Sequence, residues 1–252
     1  MSSFSDWFPY TTKSDDGRRL FCIPYAGAGA SVFRPWTQRR IGDYRAHPVQ
    51  LPGRERRAAE AAVDDLPRLV EALSQAIDPL LDAPFALFGH SNGALIAFEL
   101  ARALRRAGRP TPVHLFASGR VAPQVDIGRH QRHTLPDDAF TELLRRFNGT
   151  PQEILRDPDM MDFLRPMLRA DFALNDRYRY LEETPLSCPI TVYGGIDDDL
   201  VEAVGLAAWG AQTTAAFELH MLPGGHFFLN EERERLMAHL DKRLASPGPV
   251  FA

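Results

Sequence analysis

Phe85-Ala-Leu-Phe-Gly-His-Ser-Asn-Gly-Ala94 decides how this chain is read. Phe85 to Phe88 is a short apolar run of the kind found in a buried strand, and Ala94 to Leu104 has helical apolar spacing. Between them lies Gly89-His90-Ser91-Asn92-Gly93, a G-x-S-x-G pattern. In the order strand, G-x-S-x-G, helix, this pattern is a nucleophile elbow. The turn is so tight that its serine is held under strain with the hydroxyl pushed into the open. Glycine at 89 and 93 and alanine at 94 suit a backbone that folds back on itself without a Cβ clash.

Outward from the elbow, strand and helix patterns alternate. Strands are expected at Arg19 to Ile23, Ala46 to Leu51, Phe85 to Phe88, Val113 to Ala117, Ile190 to Tyr193 and Phe217 to Leu222. Leu66, Leu69, Val70, Leu73, Ile77 and Leu80 mark a helix from Leu66 to Leu81, and a last helix is expected over Glu231 to Leu244. Such alternation predicts a mostly parallel central sheet covered on both faces. The alternation stops between Arg120 and Thr184, where only helices are expected: Asp137 to Phe147, Gln152 to Leu155, and one from about Asp159 to Tyr178. The whole chain, 1–252, is therefore expected to be a single α/β domain with a helical lid inserted over 121–184.

Bulk properties narrow the function classes. Hydrophobic residues at 44% and charged residues at 25% are ordinary for a globular chain. A net charge of −4 supplies no electrostatic case for nucleic-acid binding. No apolar stretch is long enough to span a membrane, and Met1 to Trp7 lacks the pattern of a secretory signal. Cys22 and Cys188 are expected to be buried free thiols, which suits a cytoplasmic protein. No Cys/His spacing suggests a metal site, and no phosphate-binding glycine pattern is present. No metal or cofactor is expected.

A serine hydroxyl is a poor nucleophile until an imidazole accepts its proton and a carboxylate holds that imidazole in the right tautomer. In this arrangement the partners follow in the order Ser, Asp or Glu, His, on loops after strands. His226 follows the last strand through Pro223-Gly224-Gly225 and is the expected base for Ser91. His90 is expected to pack or to bind backbone, and His130 and His133 to be solvated on the lid. The carboxylate must come from the loop after Tyr193. That loop offers Asp197, Asp198 and Asp199, among which the residues alone do not choose. Expected oxyanion donors are the backbone N–H of Asn92 and one from the small-residue loop Pro24 to Gly29, Ala26 ahead of Tyr25.

Five blocks together resemble the type II thioesterases of polyketide and nonribosomal peptide biosynthesis: Leu20 to Gly27, Val49 to Arg54, Leu87 to Ser91, His114 to Arg120 and Leu222 to Leu229. The resemblance runs from about residue 18 to 244. It implies the α/β-hydrolase fold, with Ser91 as nucleophile and His226 as base. It also implies an acid in a G-x-x-D pattern followed three residues later by an apolar residue. Gly195-Ile-Asp-Asp198 with Val201 fits that frame and selects Asp198. The family's usual methionine after the nucleophile is Asn92 here, which keeps the backbone N–H but places a polar side chain at the pocket floor. The implied activity is hydrolysis of acyl groups from the phosphopantetheine arm of an acyl or peptidyl carrier protein, in editing. The same residues would also serve a product-releasing thioesterase or a general esterase. A catalytically silent binding module would be expected to lack part of the triad. Met160, Met161, Phe163, Leu164, Met167, Leu168 and Phe172 form an apolar stripe suited to an adaptable acyl chamber. Arg34, Arg39, Arg40, Arg54, Arg56 and Arg57 are candidates for a face that docks an acidic carrier.

Overall fold

Parallel strands need apolar cover on both faces, and these strands supply it by alternation. Phe21, Ile23, Phe85, Leu87, Leu115, Ala117, Ile190 and Val192 face one core. Leu20, Cys22, Ala86, Phe88, Phe116 and Tyr193 face the other. The computed structural model describes residues 4–11, 17–128 and 130–245. Its strands are β1 (Arg19–Ile23), β2 (Arg45–Pro48), β3 (Phe85–His90), β4 (His114–Ser118), β5 (Ile190–Gly195) and β6 (Phe217–Leu222). They form one six-stranded sheet in the order β2-β1-β3-β4-β5-β6, parallel at every pairing.

The helices are α1 (Phe4–Trp7), α2 (Leu66–Ile77), α3 (Asn92–Arg106), α4 (Asp137–Phe147), α5 (Gln152–Leu155), α6 (Pro158–Asp176), α7 (Ala203–Ala207), α8 (Phe228–Glu231) and α9 (Arg233–Leu244). Apolar residues of α2 and α3 complete the first core. Those of α9 and of a 3-10 helix at Ala30–Gln38 complete the second. That 3-10 segment was not expected from the sequence. It turns Phe33 and Trp36, three residues apart, onto the sheet.

Other differences have local causes. The helix expected to reach Leu81 ends at Ile77 and continues as a 3-10 turn over Asp78–Leu80. Pro79 has no N–H to continue the α-helical ladder. The second strand stops at Pro48 rather than Leu51, because the Gln50 N–H leaves the sheet to donate to Trp7 O at 2.8 Å. The last helix runs over Arg233–Leu244, and a short helix not expected from the sequence, Phe228–Glu231, precedes it.

Two features of this topology position the site. The chain passes from β1 to β2 on one side, then returns to place β3 on the other side of β1. The loops after β1 and β3 therefore diverge, and the crevice they leave at the carboxyl edge is where open α/β sheets bind ligands. Over 121–184 the chain forms α4, α5 and α6. Phe140, Leu144, Leu155, Met161, Met167, Leu168 and Phe172 give these helices a small core of their own. Asp157 caps α6 by accepting the Met160 N–H at 3.1 Å. Among the described residues no helix is long and apolar enough to cross a membrane.

Candidate active site

Ser91 lies between β3 and α3 with φ +52° and ψ −114°, a backbone conformation that costs a non-glycine residue about 1–3 kcal/mol. The flanking glycines explain how the turn closes. A Cβ on Gly89 would lie 2.1 Å from Gly93 O, and one on Gly93 would lie 2.0 Å from Ile23 O. The Ser91 N–H donates to Ser118 O at 2.7 Å, which ties the elbow to the end of β4.

The loop after β6 meets the loop after β5 by a similar close approach. A Cβ on Gly195 would lie 2.4 Å from Gly225 O, and Gly224 has φ +98°. This contact brings Asp198 to His226. The imidazole Nδ1–H donates to Asp198 Oδ2 at 2.8 Å, and the two side chains are 11% and 1% exposed. Asp198 Oδ1 accepts the Leu200 N–H at 2.9 Å. Asp197 and Asp199 are exposed, so of the three neighbouring carboxylates it is Asp198 that faces the imidazole. With Nδ1 engaged, the neutral ring presents Nε2 as an acceptor.

His90 is fully buried, with its ring 5.2 Å from that of His226 and its Nδ1 2.9 Å from Ser118 Oγ. Burial first, and then the neighbouring His226, hold its pKa well below the ordinary imidazole value, so it stays neutral. As expected it packs, against Tyr25, Phe227 and Phe228, and it also meets the Ser118 hydroxyl.

Ser91, His226, Tyr25, Ala26 and Asn92 line one cavity of about 310 Å³. Leu144 and Phe147 of α4 and Leu168 and Phe172 of α6 form its apolar wall. Arg120, Arg132 and Asn175 form a polar end. The Arg120 guanidinium donates to Asn175 Oδ1, and burial pulls its pKa down to about 10, which leaves it charged at neutral pH.

Several expectations need correction. Of the apolar stripe on α6, only Leu168 and Phe172 line the cavity. Met161 and Met167 are buried in the helices' own core, while Met160 and Phe163 are exposed. A stripe wider than one helical face cannot point to a single chamber. Arg54 and Arg57 are not surface docking residues, since both are buried. Arg57 pairs with Glu60 and lies 4.3 Å from the centre of the Trp7 ring. His133 is not simply solvated, because its Nδ1 lies 2.9 Å from the buried carboxylate of Asp176.

The loop after β1 carries a contact that sequence reasoning missed. Tyr25 to Ala28 is a tight turn closed by Ala28 N–H to Tyr25 O at 3.1 Å. Gly27 sits at its third position with φ +80°, as a type II turn requires. The Gly27 N–H donates to Asp171 Oδ2 at 2.7 Å. Both Asp171 oxygens also accept from Arg54, at 2.8 Å each. The Asn92 side chain donates to the Asp171 main-chain carbonyl at 2.9 Å and accepts from Asn175. One signal was available. Asp171 stands three residues after Leu168 and four after Met167, an acid on the apolar face of its helix.

A model of the thioesterase domain family matches residues 18–244. The chain belongs to the thioesterase family. Gramicidin S biosynthesis protein GrsT of Aneurinibacillus migulanus is 44% identical to this thioesterase over 245 residues, 97% of this chain and 96% of the relative. The RedJ thioesterase of the prodiginine pathway in Streptomyces coelicolor has 40% identity and a TM-score of 0.83, covering 96% of this chain and all of RedJ. The type II thioesterase BorB of the borrelidin cluster has 32% identity and a TM-score of 0.85, with 97% and 99% coverage. These findings bear out the family resemblance and the α/β-hydrolase fold expected from the sequence. The thioesterase is a thioester hydrolase of the serine-hydrolase type.

Proposed function

We propose that this thioesterase removes stalled or aberrant acyl groups from the phosphopantetheine arm of acyl or peptidyl carrier proteins in polyketide or nonribosomal peptide synthesis. The observation that carries the reading is the buried Asp198–His226 hydrogen bond, whose imidazole lines the same cavity as Ser91 on its strained elbow. The pathways of similar proteins support the setting, gramicidin S biosynthesis for GrsT and the borrelidin cluster for BorB. In this reading Ser91 Oγ attacks the thioester carbonyl while His226 Nε2 takes its proton. The N–H groups of Asn92 and Ala26 hold the oxyanion, each contributing about 3 kcal/mol as the charge develops. Collapse breaks the carbon–sulfur bond, and His226 returns the proton to the leaving thiol. Water, deprotonated by the same imidazole, then attacks the acyl-serine, releases the acid and restores the Ser91 hydroxyl.

The helices over 121–184 act as a lid in this proposal, with α4 and α6 supplying the apolar wall that receives the acyl chain. The partner is the carrier protein; neither nucleic acid nor membrane takes part, and the setting is cytoplasmic. The test uses a short acyl group on a holo carrier protein, followed by intact-protein mass. Deacylation by the wild type but not by Ser91→Ala, with slow cleavage of a simple oxygen ester, is the expected result. An inert carrier substrate beside a rapidly cleaved ester would point to a general esterase instead.

A further inference from the structure

We propose that Asp171 of α6 is a positioning residue for both oxyanion donors. The proposal rests on the hydrolytic reading of Ser91 given above. Three partners of this one residue carry it. Its Oδ2 accepts the Gly27 N–H at 2.7 Å, its two oxygens take both ends of the Arg54 guanidinium, and its main-chain carbonyl accepts from Asn92 Nδ2. The first acts on the residue after Ala26, and the third on the side chain of Asn92 itself. One residue of the inserted helix thus braces both sides of the place where the thioester oxygen would become negative.

The mechanical effect follows from the peptide geometry. The Gly27 N–H belongs to the peptide plane after Ala26. Fixing that plane sets ψ of Ala26, and the Ala28–Tyr25 turn bond then sets the plane that carries the Ala26 N–H. A bond from an N–H to a carboxylate is short and directional, so it resists rotation of that plane. Arg54 keeps the carboxylate itself from turning. Its Nε donates to Pro52 O at 3.3 Å, and its Nη1 also reaches Ala28 O at 3.2 Å on the same loop. The Arg54 and Asp171 side chains are only 5% and 2% exposed, so water does not compete for the bonds between them. A buried pair of this kind adds little net stability over well-packed apolar side chains. Its use here is orientation: the donors are aligned while α6 is seated on the loop.

The experiment compares wild type with Asp171→Asn, which keeps the shape and an acceptor oxygen but loses the charge. Three quantities are read: turnover of a butyryl-loaded holo carrier, inhibition by a trifluoromethyl ketone analogue of the thioester, and binding of the matching amide. The ketone adds Ser91 and so places an oxyanion in the site, whereas the amide reports ground-state binding. Asp171→Asn is expected to lower kcat roughly 10- to 100-fold and to weaken the ketone by the same factor. KM and amide binding should stay within about twofold. Arg54→Lys keeps a charge but not the two-pronged grip; it is expected to shift kcat and ketone affinity the same way, and it carries the test if Asp171→Asn does not fold. Unchanged kcat, or equal weakening of ketone and amide, overturns the proposal. If the wild type leaves the carrier acylated, the editing reading fails but this proposal is still read. A fluorophosphonate forms an Oγ–phosphorus bond at Ser91 with loss of fluoride. Slower labelling of Asp171→Asn than of wild type sustains the positioning role, and equal labelling overturns it.

Discussion

Two buried carboxylates stand at the carboxyl edge of the sheet, and they differ in what they face. Asp198, on the loop after β5, faces an imidazole; Asp171, reaching in from α6, faces a guanidinium. Their side chains are 1% and 2% exposed, so burial does not distinguish them. Their partners do. An imidazole exchanges its proton in the neutral pH range, whereas a guanidinium keeps its charge and offers a rigid fork of donors. The first pair can move a proton; the second can only hold geometry. In the roles proposed above, nearly the same burial would serve chemistry in one place and alignment in the other.

The largest effects that test this contrast belong to the proton-moving side. Ser91→Ala or His226→Ala is expected to lower kcat by at least about 10⁴-fold without loss of fold, read by turnover and thermal unfolding side by side. Asp198→Asn should cost roughly 10⁴-fold, while Asp197→Asn, at an exposed position, should stay within about twofold. Equal losses at 197 and 198 would dissolve the contrast. On the alignment side, Arg54→Met leaves the Asp171 carboxylate buried and uncompensated. It should cost about 3–5 kcal/mol of stability in denaturant unfolding. Pairing it with Asp171→Leu should recover most of that stability while kcat stays low, which separates alignment from stability in one protein.

A smaller effect concerns a histidine away from the site. His114 donates to or accepts from Thr191 Oγ1 at 2.9 Å and stacks on Phe116 with ring centres 4.1 Å apart. Burial, the largest cause, lowers its pKa from 6.5 to about 4. A folded pKa below the unfolded one means that the unfolded chain takes the proton first. The stability is whole above about pH 6.5 and is lost as pH falls toward about 4, by about 3 kcal/mol. His114→Gln should flatten that part of the stability-against-pH curve, leaving the share due to His90 and His239, which shift the same way. The smallest effect is at the surface: Arg39→Ala breaks a half-exposed pair with Asp241 and should cost at most about 1 kcal/mol.

Much of this was legible in the chain. The elbow could be read because Gly89 and Gly93 are demanded by contacts within a few residues or with the adjacent strand. His226 could be read because Gly224 and Gly225 announce a turn after a strand. The choice among Asp197, Asp198 and Asp199 could not be read from local chemistry. Three adjacent carboxylates share one composition; the family's G-x-x-D frame picked Asp198, and the approach of Gly195 to Gly225 is what brings it to the imidazole. The acyl-chamber stripe was over-read for a related reason. Apolar residues at helical spacing reveal a buried face, but not whether they meet a cavity or another helix.

What the amino-acid sequence determined by itself was the order of strands and helices, the strained serine between β3 and α3, and the glycine-rich loop that carries His226. These follow from backbone sterics and side-chain periodicity, which act over a few residues. Tertiary structure alone decided which cavity-facing residues come from α4 and α6, and that Arg54 leaves the surface to grip Asp171. Arg54 and Asp171 are 117 positions apart. No local rule couples residues at that distance; they meet because packing the inserted helices against the loop after β1 excludes water and leaves each charge the other as its partner.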